Sequence, residues 1–381
     1  MSCRVSIPLS VFEDPAFTSL RRAFHPETMG DLLGRLILNR QPKLSRTDLQ
    51  ELSLQGIRVF RHKFAKRCLV EYELGCSRPA ATADPKYLVG KISVRGPDHR
   101  TLALLRQLWS HGFGKGSTDG ILIPEPLGMI APLHLLLQRK VAGEPLSKLL
   151  QAPTSLSLAH QVAEALVKLH RSEVSPDCRH TVQDELCAMR DRFHRLRPTK
   201  EAVATRVDAI YHASARLVAG FTEINPCLIH RDFQPAQILV DGNTLHLLDF
   251  DLSTLGDPAL DLGHLLGHLT EQSLRQFGHA GAYSCFELML KERYLELSGV
   301  ELRPRIRAYQ TLTLVKHLHL CAESTKMFPL LLDCCEERLG LRSRGAYKHG
   351  AMPSDRTSTT NESSASATGS DSYSIEIVSK V

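Results

Sequence analysis

The sequence predicts an α+β protein of two lobes, a small β-rich lobe followed by a larger helical lobe. Between residues 56 and 141, short runs rich in β-branched and aromatic residues alternate with turns. Beyond residue 142, apolar residues recur mainly at spacings of three and four. The 381 residues allow two such units. The predicted divisions are an N-terminal extension over 1–55, an N-lobe over 56–141, a helical C-lobe over 142–345 and a disordered tail over 346–381.

The N-lobe pattern indicates a hairpin, a further strand, one helix and an extended connector. Alternating stretches at 57–60 and 68–72 enclose the basic turn 61–67. A third strand is predicted at 87–94, and the leucines of 98–111 share one helical face. An extended stretch then leads into the helical lobe. A short connector between two lobes creates a cleft, and clefts of this kind are favoured ligand sites.

The C-lobe is predicted to be helical except at 227–262, where short apolar runs alternate with tight polar turns. Helical spacing is found at 158–170, 182–219, 271–298 and 305–340. The final segment is rich in Ser and Thr. It has too few apolar residues to offset the entropy of ordering, which predicts disorder.

Composition excludes several classes of protein. The chain has 47 basic and 41 acidic residues, a net charge of +6, and no concentrated Lys/Arg block, so no nucleic-acid partner is expected. No run of 18 apolar residues predicts a membrane span, and the first residues lack the apolar core of a signal peptide. Ten scattered cysteines without a Cys-x-x-Cys pair favour reduced thiols and a cytoplasmic location. The oligomeric state is left open.

Three oxygen-bearing side chains are predicted to converge near residue 240. Two short apolar runs, 238–240 and 245–248, flank an Asp-Gly turn, which is a strong hairpin signal. This hairpin brings Gln237, at its start, close to Asp249, at its end. Asp232 lies five residues before Gln237 in the preceding loop.

Such a set suits phosphoryl transfer. One carboxylate can orient and deprotonate an attacking hydroxyl, while a second carboxylate and an amide oxygen hold Mg²⁺ against nucleotide phosphates. Mg²⁺ prefers hard oxygen ligands, which Asp and Gln provide. The sequence therefore predicts a Mg²⁺- and nucleotide-dependent transferase.

Three motifs in order resemble the aminoglycoside phosphotransferase-like enzymes, small-molecule kinases of the protein-kinase-like fold. They are His-Arg-Asp-x-x-x-x-Gln at 230–237, Leu-Leu-Asp-Phe-Asp at 247–251 and Gly-Asp-Pro-Ala-Leu-Asp at 256–261. The resemblance is concentrated in 228–266 and extends more weakly over 56–340. It implies an ATP-dependent phosphotransferase acting on a hydroxyl group of a small molecule.

The resemblance also implies roles for individual residues. Asp232 matches the catalytic Asp, and Gln237 and Asp249 match the metal ligands. Asp257 and Asp261 match acidic residues that support the catalytic loop. Residues 138–141 match the connector that meets adenine. Four basic residues of the N-lobe match phosphate-contacting positions: Lys91 on a strand, and Lys63, Lys66 and Arg67 in or beside the basic turn.

Three departures from the family pattern keep a second function open. Gln237 stands where Asn is usual, the helix 98–111 contains no Glu to pair with Lys91, and the turn 61–67 contains no glycine. A catalytically weak, kinase-like binding protein is therefore the alternative. A protein kinase is disfavoured, because Gly256 follows Asp249 by seven residues and leaves no room for a long activation loop.

Some polar residues have competing interpretations. His264 and His268 have the i, i+4 spacing of a zinc-binding pair, but the neighbouring leucines favour a packed helix and no third ligand is evident. Asp251 suits either a second carboxylate near the metal or a solvated capping residue. Arg231 is expected to be structural.

Overall fold

The computed structural model describes residues 3–40, 52–76, 87–150, 155–196, 201–222 and 224–342. It confirms the α+β class and the two lobes, one built on a β-sheet and one on helices. The predicted tail at 346–381 lies outside the described residues. No helix within the described ranges is both long and apolar enough to cross a membrane.

The N-lobe is a six-stranded sheet in the order β1-β2-β3-β4-β7-β6, antiparallel except for the β1–β2 pair. Along β4 the side chains alternate, so that Leu88 and Ile92 enter the core while Val89 and Lys91 face the other lobe. The first seven strands are β1 Arg4–Ser6, β2 Leu52–Lys63, β3 Arg67–Cys76, β4 Tyr87–Ser93, β5 Ile121–Leu122, β6 Pro126–Ile130 and β7 Leu135–Arg139.

The N-terminal residues cover the opposite face of this sheet. Helices α1 (Leu9–Glu13) and α2 (Pro26–Arg40) flank a 3₁₀ segment, Pro15–Phe24. Their Phe17 and Met29 are fully buried in the same core as Tyr72 of β3. Residues 4–40, which lie within the predicted extension, therefore share the hydrophobic core of the N-lobe.

The helix predicted at 98–111 is shorter in the structure. Helix α3 (His99–Leu108) is capped by Asp98 and gives way to a π-helical turn, Trp109–Phe113. Gly112 in this turn has φ of 91°, in the left-handed region that glycine tolerates best, so the regular helix cannot continue through it.

The C-lobe is organised around one buried helix, α8 (Pro258–Phe277). Its Gly263 and Gly267 allow the neighbouring helix α10 (Arg303–His317) to approach closely, because an added Cβ at Gly263 would lie 2.5 Å from the Tyr309 Cβ. The helices of this lobe are α4 Leu146–Leu149, α5 Ser155–His170, α6 Val182–Arg195, α7 Glu201–Val218, α8 Pro258–Phe277, α9 Ser284–Ser298, α10 Arg303–His317 and α11 Met327–Arg338.

Short strands lie between α7 and α8, where the sequence predicts a break in the helices. They include the predicted hairpin, which is confirmed, with Ile238 opposite Leu247 and Gly242 in the turn at φ of 57°. The five remaining strands are β8 Glu144–Pro145, β9 Cys227–Ile229, β10 Ile238–Asp241, β11 Thr244–Leu247 and β12 Thr254–Gly256. Strand β11 pairs with β5, which follows α3, and β10 pairs with β8, which follows the connector.

A buried ionic group fastens α6 to α10. The Lys316 ammonium donates to the Glu185 carboxylate, whose other oxygen lies 2.7 Å from His180 Nε2. The Lys316 and Glu185 side chains are 8% and 9% exposed, so neither charge can be solvated by water alone. Removing one partner therefore leaves the other buried without compensation.

We expect Glu185→Gln to lower the free energy of unfolding by about 3–5 kcal/mol, because it leaves the Lys316 charge unpaired. Urea denaturation followed by circular dichroism measures this loss. The matched control is Glu144→Gln, which removes an exposed partner of Lys148 and should cost less than about 1 kcal/mol. Equal effects of the two substitutions would show that the buried group does not hold the helices together.

Candidate active site

A cavity of about 260 Å³ lies between the two lobes. Its walls are apolar, with Leu69, Val89 and Leu136 from the N-lobe sheet facing Leu239 and Leu248 from the hairpin. The connector residues 138–141 close one side. The cavity also has charged and amide side chains in its lining: Arg67, Lys91, Gln237, Asp249 and Asp251.

The β10–β11 hairpin brings Gln237 and Asp249 together, as predicted. The Gln237 amide Nε2 lies 3.4 Å from the Asp249 Oδ2, and the Leu248 N–H donates to the Gln237 carbonyl at 2.9 Å. Asp249 has φ of 61°, so the chain turns sharply just after the strand and directs this carboxylate to the inter-lobe cavity. The two side chains are neighbours because the hairpin register, with Ile238 opposite Leu247, places the residues just before β10 beside those just after β11.

The loop that carries Asp232 is held by a buried carboxylate from α8. Asp261, which has no exposed surface, accepts hydrogen bonds from the backbone N–H groups of His230 at 2.7 Å and Arg231 at 2.8 Å. Arg231 has φ of 66°, a left-handed conformation that costs free energy for a residue other than glycine. The two Asp261 contacts stabilise this turn. A third contact, from His170 Nε2 at 3.1 Å, fixes the carboxylate itself.

Asp257 fixes the start of the same helix. One of its oxygens caps α8 by accepting the Ala259 N–H at 2.9 Å. The other accepts from the Tyr309 hydroxyl at 2.9 Å and pairs with Arg305 on α10. The two acidic residues of the Gly-Asp-Pro-Ala-Leu-Asp motif therefore tie the Asp232 loop to the helical core.

Asp232 is oriented by its own loop. Gln234 Nε2 lies 3.1 Å from Asp232 Oδ1. His230 packs against Phe250 with ring centroids 4.8 Å apart, and its Nε2 lies 2.8 Å from the Leu248 carbonyl oxygen. These contacts join the loop to the segment that carries Asp249. Burial raises the pKa of Asp232, and the nearby Asp249 carboxylate acts in the same direction.

Lys91 has acidic partners although α3 contains no Glu. Its ammonium donates to Asp249 Oδ1 at 2.7 Å and also to the Asp251 carboxylate. Arg67 Nη1 lies 3.3 Å from Asp249 Oδ2 and 3.8 Å from Asp251 Oδ2. Burial opposes ionisation of Asp249, but Lys91 and Arg67 outweigh it and lower the pKa to about 2. Asp251 is therefore neither solvated nor a helix cap but part of a four-membered ionic cluster.

The basic turn is tighter than predicted and is anchored from the N-terminal segment. Strand β2 runs to Lys63, which leaves only residues 64–66 between the strands. Ala65 takes the left-handed φ of 52° that a glycine would adopt easily. Its N–H donates to the buried Asp14 carboxylate at 2.7 Å, and His62 Nε2 lies 3.0 Å from the same oxygen. The Ala65 N–H is thus engaged by the protein itself.

The seven predicted site residues fall into two groups. Four line the inter-lobe cavity, Arg67, Lys91, Gln237 and Asp249, and the fifth member of this group, Asp232, lies within electrostatic reach of Asp249 and Arg67. The other two belong to the hairpin above them. Burial, together with Lys66 and Arg67, lowers the pKa of Lys63, while Asp232 opposes that shift and so lies within electrostatic reach. Lys66 is exposed in the turn.

A second cavity, of about 380 Å³, begins on the far side of the Asp232 loop. Gln234, Pro235 and Ala236 form the wall that it shares with the loop. The remaining wall comes from α4, α8, α10, α11 and the segment between the last two, and it includes His268, Gln272, Arg275, His317, Cys321 and Lys326. A molecule in this cavity would lie beside the loop that holds Asp232.

His264 and His268 face Asp232, whereas the leucines between and beside them enter the core. One donor atom from each of the three side chains lies within 4.8 Å of the others. Asp232 is the third donor that the sequence did not reveal, because 32 residues separate it from His264 and only the packing of α8 against the loop brings them together.

Sequence reasoning missed two contributors to the site, Gln234 and Asp14. Gln234 could have been noticed, since it is a polar residue two positions after Asp232. For Asp251 the sequence left two roles open, and the structure favours the one near Asp249. Asp14 carried no signal in the sequence, because it lies 51 residues from Ala65 and outside every motif.

The chain belongs to the phosphotransferase enzyme family known as APH, whose model matches residues 97–291. That range contains the Asp232 loop, the hairpin and the whole of α8. Among curated proteins, none matches this chain significantly.

Solved structures of low sequence identity share the fold. A thermostable mutant of aminoglycoside phosphotransferase APH(4)-Ia, in its apo form, superposes with a TM-score of 0.53 at 14% identity, covering 82% of this chain and 100% of that one. A choline/ethanolamine kinase family protein from Mesorhizobium loti gives 0.51 at 16% identity, covering 74% and 87%. The GDP and kanamycin complex of APH(2")-IIia also gives 0.51 at 16%, covering 81% and 98%.

We expect Asp261→Asn to lower the free energy of unfolding by about 1–3 kcal/mol, since one backbone N–H of the loop would face an amide donor instead of a carboxylate oxygen. Urea denaturation measures the loss. Asp241→Asn, at the exposed end of the hairpin, is the control and should change stability by less than about 0.5 kcal/mol. An Asp261→Asn protein as stable as the wild type would contradict the support role.

Proposed function

We propose that this protein is an ATP-dependent phosphotransferase that phosphorylates a hydroxyl group of a small molecule. The observation that carries the proposal is the joint placement of Asp232, Gln237 and Asp249 with Lys91 where the Asp232 loop meets the inter-lobe cavity. Phosphoryl transfer requires a general base, oxygen ligands for a metal ion and a cation that binds phosphate. These four side chains would provide those groups.

ATP would occupy the cavity between the lobes. The adenine ring suits the apolar walls, with the backbone of residues 138–141 beside its edge. Its phosphates would then reach Lys91 and Arg67, two basic residues of the lining that lie beside Asp249. Lys63 and Lys66 on the hairpin above would add positive charge. Because the Ala65 N–H is engaged by Asp14, side chains rather than backbone amides would cover the phosphates.

Gln237 and Asp249 would hold Mg²⁺. Their donors are amide and carboxylate oxygens, the ligand type that Mg²⁺ prefers, and the low pKa of Asp249 keeps its carboxylate ionised at neutral pH. When bound, Mg²⁺ neutralises charge on the phosphates and on the group being transferred. Lys91 and Arg67, which neutralise Asp249 in its absence, are then available to the phosphates.

Asp232 would orient the acceptor hydroxyl and receive its proton. The hydroxyl oxygen forms a bond to the γ-phosphorus, the bond between that phosphorus and the ADP oxygen breaks, and the hydroxyl proton passes to Asp232. Burial raises the pKa of Asp232, which makes it a better proton acceptor than an exposed carboxylate. Gln234 keeps one carboxylate oxygen in place.

The acceptor would bind in the 380 Å³ cavity beside the Asp232 loop. A cavity of that size suits a small molecule. Two proteins of similar fold were solved with such ligands, APH(4)-Ia with AMP-PNP and hygromycin B, and APH(2")-IIia with GDP and kanamycin. The proposal includes a cytoplasmic location, which suits a free ATP supply and the unpaired cysteines.

A catalytically weak, kinase-like binding protein is the second candidate. Two observations favour it: Lys91 is bonded to Asp249 and Asp251, and the Ala65 N–H is not available to phosphate. Such a protein would keep the fold and an acceptor-type cavity but bind nucleotide weakly.

Nucleotide binding distinguishes the two candidates. We expect ATP with Mg²⁺ to raise the melting temperature of the wild type by roughly 2–6 °C at saturation, and ATP with a chelator to have a smaller effect. Asp249→Asn should abolish the Mg²⁺-dependent part, because it removes a charged ligand. Asp241→Asn should retain it. No shift at millimolar ATP and Mg²⁺ would favour the weak binding protein.

We expect Asp232→Asn to reduce kcat by about 10²–10⁴-fold while leaving nucleotide binding intact, since only the proton acceptor is lost. The measurement uses γ-labelled ATP with a panel of aminoglycosides, sugars and amino alcohols. Asp232→Asn serves as the blank, and Asp241→Asn as the control of wild-type rate. Phosphorylation by Asp232→Asn at the wild-type rate would refute the assigned mechanism.

A further inference from the structure

We propose that Asp232, His264 and His268 form a binding site for Zn²⁺, separate from the position proposed for Mg²⁺ at Gln237 and Asp249. Occupancy of this site would engage the carboxylate of Asp232. The binding claim stands on its own, whereas its consequence, inhibition of phosphoryl transfer, rests on the proposed function.

Geometry is the first support. His264 and His268 lie one turn apart on α8, and their rings stack with centroids 4.7 Å apart and an interplanar angle of 9°. Histidines at this spacing on one helical face are a recurrent zinc-binding arrangement. Asp232 approaches from the loop, so that a donor atom of each residue lies within 4.8 Å of the other two. Two rigid elements, the helix and the Asp261-anchored loop, supply all three donors.

An unsatisfied nitrogen is the second support. His268 Nε2 is buried and has no hydrogen-bond partner among the described residues. A buried polar atom without a partner is unfavourable, and native structures usually satisfy it with protein, water or an ion. His268 also packs edge-on against His317, with ring centroids 4.6 Å apart, which limits its rotation away from Asp232.

The charges around the two histidines are compatible with a bound cation. Three basic side chains act electrostatically on this pair: Lys316, Arg275 and Arg192. Lys316 pairs with Glu185 and Arg275 pairs with Glu271, while Arg192 interacts electrostatically with Glu185 and Asp232.

The donor types select the metal. Two imidazole nitrogens and one carboxylate oxygen suit Zn²⁺ and similar first-row ions, whereas Mg²⁺ prefers oxygen ligands alone. Three protein ligands leave at least one coordination position open. His268 also lines the 380 Å³ cavity, so water or an acceptor molecule could reach that position.

Direct titration of the full-length protein tests the site without any acceptor. Isothermal titration calorimetry with ZnCl₂, in excess Mg²⁺, should give one saturable site per chain. His264→Gln, His268→Gln and Asp232→Asn should each weaken binding by at least about tenfold. His160→Gln, which removes an exposed histidine of α5, is the matched control and should bind as the wild type does.

Cobalt distinguishes this site from the cysteines. Co²⁺ bound to nitrogen and oxygen ligands shows only weak visible bands, whereas thiolate ligands add intense near-ultraviolet charge-transfer absorption. We expect the wild type to show the weak visible bands of nitrogen and oxygen ligands, and we expect His264→Gln to lose them. Circular dichroism of each metal-free variant verifies that it is folded. If His268→Gln does not fold, His264→Gln and Asp232→Asn are sufficient to test whether these side chains bind the metal. The absence of saturable binding, equal affinity in the folded variants, or a thiolate spectrum would overturn the proposal.

Zn²⁺ inhibition of phosphate transfer is measured separately. If Zn²⁺ binds as described but no acceptor is phosphorylated, the metal site stands and the proposed function fails. If phosphate transfer occurs and Zn²⁺ does not bind, the proposed function stands and the metal site fails.

Discussion

The site depends above all on one buried carboxylate. Asp261 accepts two successive backbone N–H groups, those of His230 and Arg231, and so stabilises a left-handed turn that the chain would otherwise avoid. The Asp261 carboxylate is itself held by His170 and by its place in the first turn of α8. That helix is in turn fixed against α10 by the close approach at Gly263. The position of Asp232 therefore follows from the packing of the helical core.

The part of the site around Asp249 is held together by ion pairs between the two lobes. Lys91 and Arg67 from the N-lobe sheet meet Asp249 and Asp251 from the C-lobe, and this cluster joins the lobes across the cavity. If a metal-bound triphosphate binds here, its phosphates would pair with Lys91 and Arg67, and its metal ion would pair with Asp249. Each charged group would therefore keep a partner of opposite charge. Helix α3 contains no Glu to pair with Lys91, and Asp251 of the C-lobe provides the second carboxylate partner of Lys91 instead.

The N-terminal segment has a role in the site that its sequence does not suggest. Asp14 is fully buried and holds both the Ala65 N–H and His62, which fixes a turn that contains no glycine. The left-handed conformation of Ala65 is thus stabilised by the hydrogen bond that its N–H donates to the distant Asp14 carboxylate. The turn proposed to cover the phosphates is therefore anchored by the N-terminal segment and carries basic side chains.

The sequence by itself determined the features that depend on neighbouring residues. Hydrophobic periodicity identified the two lobes, and the Asp-Gly turn placed Gln237 beside Asp249, because hairpin register is a local property. The tertiary structure alone decided the contacts between distant segments. Lys91 and Asp251 are 160 residues apart, and Asp232 meets His264 and His268 only because α8 packs against the loop. Periodicity shows which face of a helix is apolar. It does not show which loop the polar face will meet, since that depends on how whole elements pack.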